Sequence, residues 1–357
     1  PYKGQLRLQA FSHIASGANA VEYWHWHSIH NSLETYWKGL LSHDLEENET
    51  YIEACRVGAE FEKYGKFLVN LKKKNDVAIL VSNEALTALE WFGIEAAAAS
   101  NEGIKYNDVL RWVYDTLYEH NVECDFVWEE SQNLNEYKMI VVPVLYAADE
   151  RVLKKLNDYI NNGGVLVATF KSGFANENVK VYHSVQPHII HQALGVTYHQ
   201  FTFPKNVVLS GDITCGAENF YAEKFMELLI PEEDTQVLAS YGHYNWKDYA
   251  AVTRHPFGEG FGYYLGCMTD KRVLWKVFDM ALKDAGLDVP KAEFPLILRK
   301  GRNEEGKAFW FYLNYSPEVQ RAVHEGILAR DIFTKEQVDG GGTFEVKGWD
   351  LRILAES

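Results

Sequence analysis

The chain has 357 residues, more than one ordinary domain needs, so its length predicts two or three domains. Hydrophobic residues make up 47% of it, which is enough to form sizeable cores and excludes a wholly disordered chain. Lys and Arg total 35 against 50 Asp and Glu, a formal net charge of -15, so nucleic acid and anionic membrane surfaces are poor partners.

The cysteine pattern argues against a zinc site and favours a reducing compartment. The four cysteines, Cys55, Cys124, Cys215 and Cys267, are scattered and show no C-x-x-C or Cys/His ligand spacing. Widely spaced cysteines are typical of unpaired thiols, and a cytoplasmic location is the default expectation. No apolar run approaches 18 residues, so no membrane span is expected. The sequence begins with Pro rather than Met, and we expect its true beginning to lie upstream.

The first 74 residues combine two helical patterns with one strand pattern. Apolar residues at helical spacing predict a helix over residues 4–16 and a longer one over residues 48–72. Between them, residues 20–26 predict a strand and residues 27–32 a polar loop. This order of elements is typical of the last unit of a β/α-barrel. Because one strand cannot satisfy its own edges, we expect the rest of a sheet to lie upstream.

Residues 75–288 predict an α/β domain. Residues 76–82 form a continuous apolar run of the kind found in buried parallel strands. Further strands are predicted over residues 122–127, 139–144, 165–170 and 258–265, and helices over residues 108–120 (capped by Asn107), 149–161 and 272–285. Residues 172–248 are harder to assign and are interpreted as an insertion. The alternation predicts a parallel sheet with helices on both faces.

The last region changes in composition at Pro290 and predicts a small all-β domain over residues 289–357. Its short strand patterns are separated by turns that contain glycine, and they cover residues 294–299, 307–314, 321–328, 344–346 and 351–354. Strands at this spacing are typical of a small antiparallel sheet or sandwich.

The candidate binding residues lie at and beyond the end of the predicted strand 20–26. Trp26 ends that strand, and Glu34 and Trp37 follow in the next loop. In a β/α-barrel the loops after the strand ends form the active site. A carboxylate accepts hydrogen bonds from neighbouring sugar hydroxyls, and an indole packs on a sugar ring. The alternative is that Trp26 packs inside a barrel and Glu34 is a solvated loop residue, and spacing alone leaves this open.

Residues 4–44, GQLRLQAFSHIASGANAVEYWHWHSIHNSLETYWKGLLSHD, resemble the last strand–helix unit of the β-galactosidases of glycoside hydrolase family 42. The regions that follow resemble the rest of that family's architecture. The resemblance implies an α/β fold in three parts: the C-terminal remnant of a TIM (β/α)8 barrel over residues 1–74, a flavodoxin-like (class I amidotransferase-like) trimerisation domain over 75–288, and a small all-β C-terminal domain over 289–357. It also implies a homotrimer that hydrolyses terminal β-D-galactosides with retention.

The resemblance assigns no catalytic residue to this chain. In the family the two catalytic glutamates follow the fourth and seventh barrel strands. Residues 1–16 resemble the helix after the seventh strand, so both glutamates would precede Pro1, and the chain alone is expected to be inactive. Glu34 matches a position that binds galactose hydroxyls, and Trp26 matches an aromatic residue at the end of the eighth strand. The family often has His three residues after that glutamate, where this chain has Trp37, whose indole donates through one N–H only.

Two other functions stay open: an oligomerisation or interaction module, and a free-standing enzyme similar to the class I amidotransferases. The turn after the predicted strand 165–170 reads Lys171-Ser172-Gly173, with no nucleophilic Cys and no G-x-S-x-G pattern. The turn after residues 76–82 has no glycine-rich phosphate loop, so no nucleotide cofactor is expected. No metal or other cofactor is expected either.

Overall fold

The computed structural model describes residues 2–93, 103–214, 216 and 218–357. Cys215, one of the four scattered thiols, lies outside the described residues. The chain divides into two compact units. The first contains Pro1–Lys74, Glu119–Asn121 and Pro290–Ser357, and the second contains Asn75–Tyr118 and Val122–Val289.

Two helices, α1 (Gln5–Ala15) and α2 (Glu49–Leu68), begin the first unit. Both predicted helices are confirmed, although α2 ends at Leu68 rather than at residue 72. Helix α2 begins where the sequence predicts because the Asn48 side chain accepts hydrogen bonds from main-chain N–H groups of its first turn. It ends because Val69 takes an extended conformation.

A buried arginine joins α1 to the other parts of the first unit. Arg7 Nε donates to Glu60 Oε2 of α2 at 2.6 Å, and Arg7 Nη1 donates to Asp350 Oδ1 at 2.6 Å. Its guanidinium lies 4.6 Å from the ring centroid of Phe333, and that ring packs edge-on against Phe11 at 5.7 Å. The positive charge is tolerated in the core because both carboxylates are within hydrogen-bond reach.

The predicted strand over residues 20–26 is wrong for this structure. The segment has no regular secondary structure, and the one bridge next to it pairs His27 with Leu41. A strand is defined by its hydrogen bonds to a neighbour, and no named strand of the described residues pairs with this segment. Its apolar pattern is therefore not sufficient to make it a strand within this chain, and no sheet of the described residues encloses it.

Alternating strands and helices open the second unit. In chain order they are β1 (Val77–Val81), α3 (Asn83–Trp91), α4 (Tyr106–Glu119), β2 (Cys124–Trp128), β3 (Met139–Val142), α5 (Glu150–Asn161) and β4 (Val165–Thr169). Each strand and helix predicted for this stretch is present, but α3 was not predicted. Asn107 does not cap α4, because the helix already begins at Tyr106.

The remainder of the second unit is mostly antiparallel. Its elements are α6 (His191–Leu194), β5 (Val196–Thr202), β6 (Val208–Ser210), β7 (Phe220–Tyr221), β8 (Glu223–Pro231), β9 (Gln236–Gly242), β10 (Ala250–Phe257), β11 (Gly260–Leu265), β12 (Cys267–Met268) and α7 (Lys271–Asp284). Residues 172–248, interpreted as an insertion, supply strands β5 to β9 between β4 and β11. Among the described helices of the chain, none is both long and apolar enough to cross a membrane.

The strands of the second unit form one sheet with a parallel part and an antiparallel part. Five parallel strands lie side by side in the order β2-β1-β3-β4-β11, and β10, β9, β6 and β7 continue the sheet beyond β11. Along β1, Val77 and Ile79 pack with side chains of α3, α4 and α7, whereas Ala78 and Leu80 pack with side chains of α5. Helices therefore cover both faces of the parallel part, as the alternation predicts.

The first unit ends in short antiparallel strands. They are β13 (Leu296–Arg302), β14 (Ala308–Asn314), β15 (Gln320–Val323), β16 (Ala329–Asp331), β17 (Gln337–Val338), β18 (Thr343–Val346) and β19 (Leu351–Glu356). Five of them form a sheet in the order β13-β14-β19-β16-β17, and β15 pairs with β18. Leu298 and Tyr312 of the sheet share a core with Phe344 and Val346 of that pair. The region is a small sandwich, and its predicted strand 321–328 ends at Val323.

Candidate functional site

The candidate binding residues lie on one loop of the first unit, residues 25–41, which we call the 25–41 loop. Its two ends are joined by main-chain hydrogen bonds. Leu40 N donates to His25 O at 2.8 Å, and Leu41 N donates to Trp26 O at 2.9 Å. The loop is therefore closed at its base, although no strand forms there.

Ser28 and Gly39 hold the base of the loop together. The Ser28 hydroxyl donates to Leu41 O at 3.0 Å and accepts from Gly39 N at 3.2 Å, and Ser28 is buried. The backbone of Gly39 passes so close to that of His27 that a Cβ atom at position 39 would lie 2.3 Å from the carbonyl carbon of His27. Position 39 therefore requires glycine, for lack of space rather than for an unusual φ.

Histidine side chains fix the far part of the loop. His43 Nε2 lies 2.8 Å from Thr35 O, and His30 Nε2 contacts His43 O. A ring nitrogen that faces a carbonyl oxygen must carry a proton, so both Nε2 atoms are donors. Although the rings of His27 and His30 lie near each other, tilted by 48° with centroids 5.4 Å apart, no group of three or more possible metal ligands occurs among the described side chains.

The three predicted binding residues are all exposed. The Trp26 indole is 61% exposed and packs edge-on against Tyr51 of α2, with centroids 6.0 Å apart. Trp37 is 50% exposed and stacks on Tyr36 at 5.3 Å. The Glu34 carboxylate is exposed and has no hydrogen-bond or ion-pair partner within the described part of the chain. Each is therefore free to contact another molecule.

Glu34 and Trp37 lie in one turn of the loop, and Trp26 lies at its base. Trp37 N donates to Glu34 O at 2.9 Å, so Glu34 and Trp37 are the two ends of one turn. Trp26 lies at the base of the loop, where its carbonyl accepts from Leu41 N, and no hydrogen bond or ring pair joins it to either of the others in the described structure. The arrangement gives one turn that carries an exposed carboxylate and an exposed indole, with a second exposed indole at the base of the loop.

Trp24 is an exposed aromatic residue that sequence reasoning did not select. It is 83% exposed, more than Trp26, and it directly precedes the 25–41 loop. Leu33 and Tyr36 are also exposed, so five large apolar side chains of this segment face away from the core. Apolar exposure of this density marks a contact surface. The sequence signal was the aromatic density itself, but it does not say which rings are buried.

Two buried polar atoms at the start of the loop have no hydrogen-bond partner in the described structure. Tyr23 Oη and His25 Nε2 are both shielded from solvent and unpaired among the described groups. Burial raises the pKa of the Tyr23 hydroxyl, and the nearby Glu53 carboxylate raises it further. Buried polar groups in folded proteins are nearly always paired, so these two atoms mark a place where further polar contacts are needed.

The second unit contains a buried charged network that the sequence did not reveal. Lys171 N donates to Glu227 Oε1 at 2.9 Å, and the Tyr264 hydroxyl donates to Glu227 Oε2 at 2.7 Å. Lys171 Nζ lies between two aromatic rings, 3.6 Å from the centroid of Phe174 and 3.4 Å from that of Phe201. Burial lowers the pKa of Lys171 to about 8 and raises the pKa of Glu227.

The same lysine occupies the turn where a class I amidotransferase would carry its nucleophile. Lys171 lies in the turn after β4 with a φ of 61°, a left-handed backbone conformation. The side chain is an amine enclosed by phenylalanine rings rather than an exposed thiol or hydroxyl. Cys267, a buried thiol of the same unit, has its pKa raised to about 12 by burial, so it is no thiolate. This geometry gives the amidotransferase alternative no support.

Comparisons with protein families cover nearly the whole chain. The β-galactosidase trimerisation domain family matches residues 75–288, the β-galactosidase family matches residues 1–64, and the β-galactosidase C-terminal domain family matches residues 296–356. β-Galactosidase LacZ of Lactobacillus acidophilus is 24% identical over 359 residues and is aligned to 98% of this chain and 51% of its own length. β-Galactosidase BgaB of Geobacillus sp. is 26% identical over 365 residues, covering 99% of this chain and 51% of its own length.

Solved structures show the same fold. Gan42B, a GH42 β-galactosidase from G. stearothermophilus, superposes with a TM-score of 0.88 at 21% identity, covering 100% of this chain and 51% of that one. The β-galactosidase of Bacillus circulans sp. alkalophilus has a TM-score of 0.88 at 22% identity, with coverages of 100% and 52%. The chain spans about half the length of the relatives it matches. On these matches, the chain belongs to the β-galactosidases of glycoside hydrolase family 42.

Proposed function

We propose that this chain acts as part of a longer retaining β-galactosidase that hydrolyses terminal, non-reducing β-D-galactosides. The chain supplies part of the sugar-binding surface and the oligomerisation domain, and it is inactive alone. The observation that carries this proposal is the 25–41 loop, within the residues matched by the β-galactosidase family. One turn of this loop carries the exposed Glu34 carboxylate, which has no partner among the described residues, and the exposed Trp37 indole.

The chemistry of the loop suits sugar binding rather than bond cleavage. Glu34 can accept hydrogen bonds from two neighbouring hydroxyls, and the indoles of Trp26 and Trp37 can pack on the C–H faces of a sugar ring. Retaining hydrolysis needs two carboxyl groups roughly 5 Å apart, one as nucleophile and one as acid/base. Glu34 alone cannot supply both groups, so we assign it to binding and expect both catalytic groups on another segment.

Two buried polar atoms of residues 20–26 support a neighbouring polar surface. Among the described residues, Tyr23 Oη and His25 Nε2 have no hydrogen-bond partner, and residues 20–26 have a strand-like sequence but no strand neighbour. Both features are expected of the last strand of a β/α-barrel whose other strands lie on another segment. They support placing residues 1–74 at the end of such a barrel.

We also propose the remaining features of the family architecture. The strand order β2-β1-β3-β4-β11 corresponds to the order 2-1-3-4-5 of flavodoxin-like sheets, which supports a flavodoxin-like domain over residues 75–288. The match to a trimerisation domain supports a homotrimer, and a small β domain follows over residues 289–357. Cys55 and Cys267 form no disulfide within the described residues, which supports a cytoplasmic location.

The proposal is tested by measuring binding and hydrolysis with the same purified chain. Titration with galactose, followed by tryptophan fluorescence, should show saturable binding with a Kd on the order of 1 mM. Glu34→Gln should weaken it several-fold, whereas Glu62→Gln, an exposed glutamate of α2, should not. Cleavage of an aryl β-galactoside by this chain alone would show that the catalytic pair has been misplaced. Equal galactose affinity of wild type and Glu34→Gln would show that Glu34 does not bind the sugar.

The oligomeric state is a separate measurement. Sedimentation equilibrium of the chain should give three times its mass of 40.9 kDa. A monomer would contradict the trimer without affecting the sugar-binding proposal.

A further inference from the structure

A chain of three polar side chains in the second unit has the connectivity of a serine hydrolase relay. The Ser184 hydroxyl is within hydrogen-bond contact of His188 Nδ1, and His188 Nε2 lies 3.0 Å from Glu150 Oε1. Ser184 and His188 lie on the segment before α6, and Glu150 lies in the first turn of α5. None of the three belongs to the 25–41 loop or to the Lys171 network.

The contacts define the protonation of the imidazole. Nε2 faces a carboxylate oxygen, so Nε2 carries the proton. Hydrogen bonding to His188, and then to Lys154, lowers the pKa of Glu150, which therefore stays ionised. Nδ1 is left with a free lone pair directed at the Ser184 hydroxyl. In this tautomer the imidazole can take the serine proton, while the carboxylate orients the ring and stabilises the imidazolium.

The imidazole is held in place and the serine is open to solvent. The His188 side chain is 14% exposed, and the ring of Tyr182 stacks on it with centroids 3.7 Å apart. Ser184 itself is exposed. The main-chain N–H groups of Ser184 and Val185 donate to no acceptor within the described residues, so they are available to a developing oxyanion.

We propose that Ser184, His188 and Glu150 form a second catalytic site, which hydrolyses small, unhindered acyl esters. Ser184 Oγ attacks the ester carbonyl carbon while its proton passes to His188 Nδ1. The bond to the alcohol then breaks, and the alcohol leaves with that proton. Water attacks the acyl-serine in the same way, the carboxylic acid is released, and the proton returns to Ser184 Oγ.

The surroundings of Ser184 limit the substrate to short acyl groups. Val181 and Val185 are close to Ser184 along the chain, and their exposed side chains are the apolar surface available to a small acyl chain there. Exposure on a surface segment gives little area to bind a large acyl group, so the site favours reactive esters with an acetyl-sized acyl group.

The first test is turnover of p-nitrophenyl acetate by the full chain. Wild type should release many equivalents of nitrophenol per chain, and Ser184→Ala should lose this turnover by about tenfold or more. Glu150→Gln should lower it less, because the imidazole keeps its contact with the serine. The matched control is Ser210→Ala, an exposed serine of β6, which should match wild type. Turnover unchanged in a folded Ser184→Ala variant would overturn the proposal.

The second test identifies the nucleophile directly. A fluorophosphonate probe followed by peptide mass spectrometry should label Ser184 in wild type and leave it unlabelled in His188→Ala. Labelling confined to other residues, or equal labelling of Ser184 in both proteins, would overturn the proposal. Both tests use esters without a sugar, so their outcome is independent of galactose binding by the 25–41 loop.

Discussion

The parallel strands of the second unit and residues 20–26 of the first are all predicted as strands from their sequences, yet only the strands of the second unit form a regular, buried structure. Every strand of the parallel part has a neighbour, and residues such as Ile79 and Val141 are fully buried. The segment 20–41 exposes its indoles and leaves two buried polar atoms unpaired. The difference shows that an apolar pattern specifies a strand only where a partner strand is present.

The largest expected effect tests how strongly the second unit depends on its buried charges. Glu227→Leu removes the acceptor of the Tyr264 hydroxyl and the carboxylate that faces the Lys171 ammonium. We expect the free energy of unfolding to fall by about 3–5 kcal/mol, because a buried charge is left without compensation. Urea unfolding measures this.

The matched control is Glu223→Gln, an exposed glutamate on the same strand, which should unfold like wild type. If Glu227→Leu also unfolded like wild type, the buried network would contribute nothing to the free energy of unfolding of this unit.

Measuring unfolding at several pH values separates the contribution of Lys171 to stability from that of Glu227. The pKa of Lys171 is about 8 in the folded chain against 10.5 for the free side chain. Between these values the unfolded chain binds a proton that the folded chain has lost, so Lys171 makes the free energy of unfolding rise with pH. Relative to Lys171→Met, wild type should gain up to about 3 kcal/mol from pH 8 to pH 10.5.

Lys180→Met, at an exposed position, is the control and should show no such difference from wild type. A difference between wild type and Lys171→Met that stays constant over this range would mean that the Lys171 ammonium is not destabilised by burial.

The third prediction tests whether the core of the first unit, outside the 25–41 loop, depends on its buried charges as the core of the second unit does. Arg7→Met leaves the Glu60 and Asp350 carboxylates without their shared partner. We expect a loss of about 2–3 kcal/mol in unfolding free energy. Arg56→Met removes an exposed ion pair to the same Glu60 and should cost only a few tenths of a kcal/mol. Equal losses in the two variants would show that burial does not distinguish these ion pairs.

What the sequence predicts correctly is what local chemistry decides. The start of α2 at Asn48 follows from a side-chain cap, and β1 follows from an uninterrupted apolar run. The failures involve partners distant along the chain. Strand 20–26 lacks a neighbour, and the antiparallel strands within residues 172–248 are defined by pairing rather than by composition. The contact between Lys171 and Glu227 joins residues 56 positions apart, which no spacing rule reports.

The candidate site divides in the same way. Glu34 and Trp37 are three residues apart, so their meeting in one turn could be anticipated, and the structure places them there. The exposure of Trp24 and Trp26 could not be anticipated, because residues two apart share one face of a strand and the sequence does not say whether that face is buried. The role of Glu34, Trp26 and Trp37 in sugar binding stays a prediction.

The smallest expected effect tests whether the 25–41 loop is structured without neighbouring strands. Ser28→Ala removes a buried hydroxyl that bonds Leu41 O and Gly39 N, and should cost about 1–2 kcal/mol locally. Because the core of the unit is not touched, we expect faster proteolysis and hydrogen exchange within the 25–41 loop but little change in global unfolding.

The control is Gly58→Ala, at a helical position with open space around it, which should leave exchange in the loop unchanged and stabilise α2 by about 0.5–1 kcal/mol. If Ser28→Ala instead lowered global stability as much as Arg7→Met, the loop would be part of the cooperative core, and the contrast between the two regions would not hold.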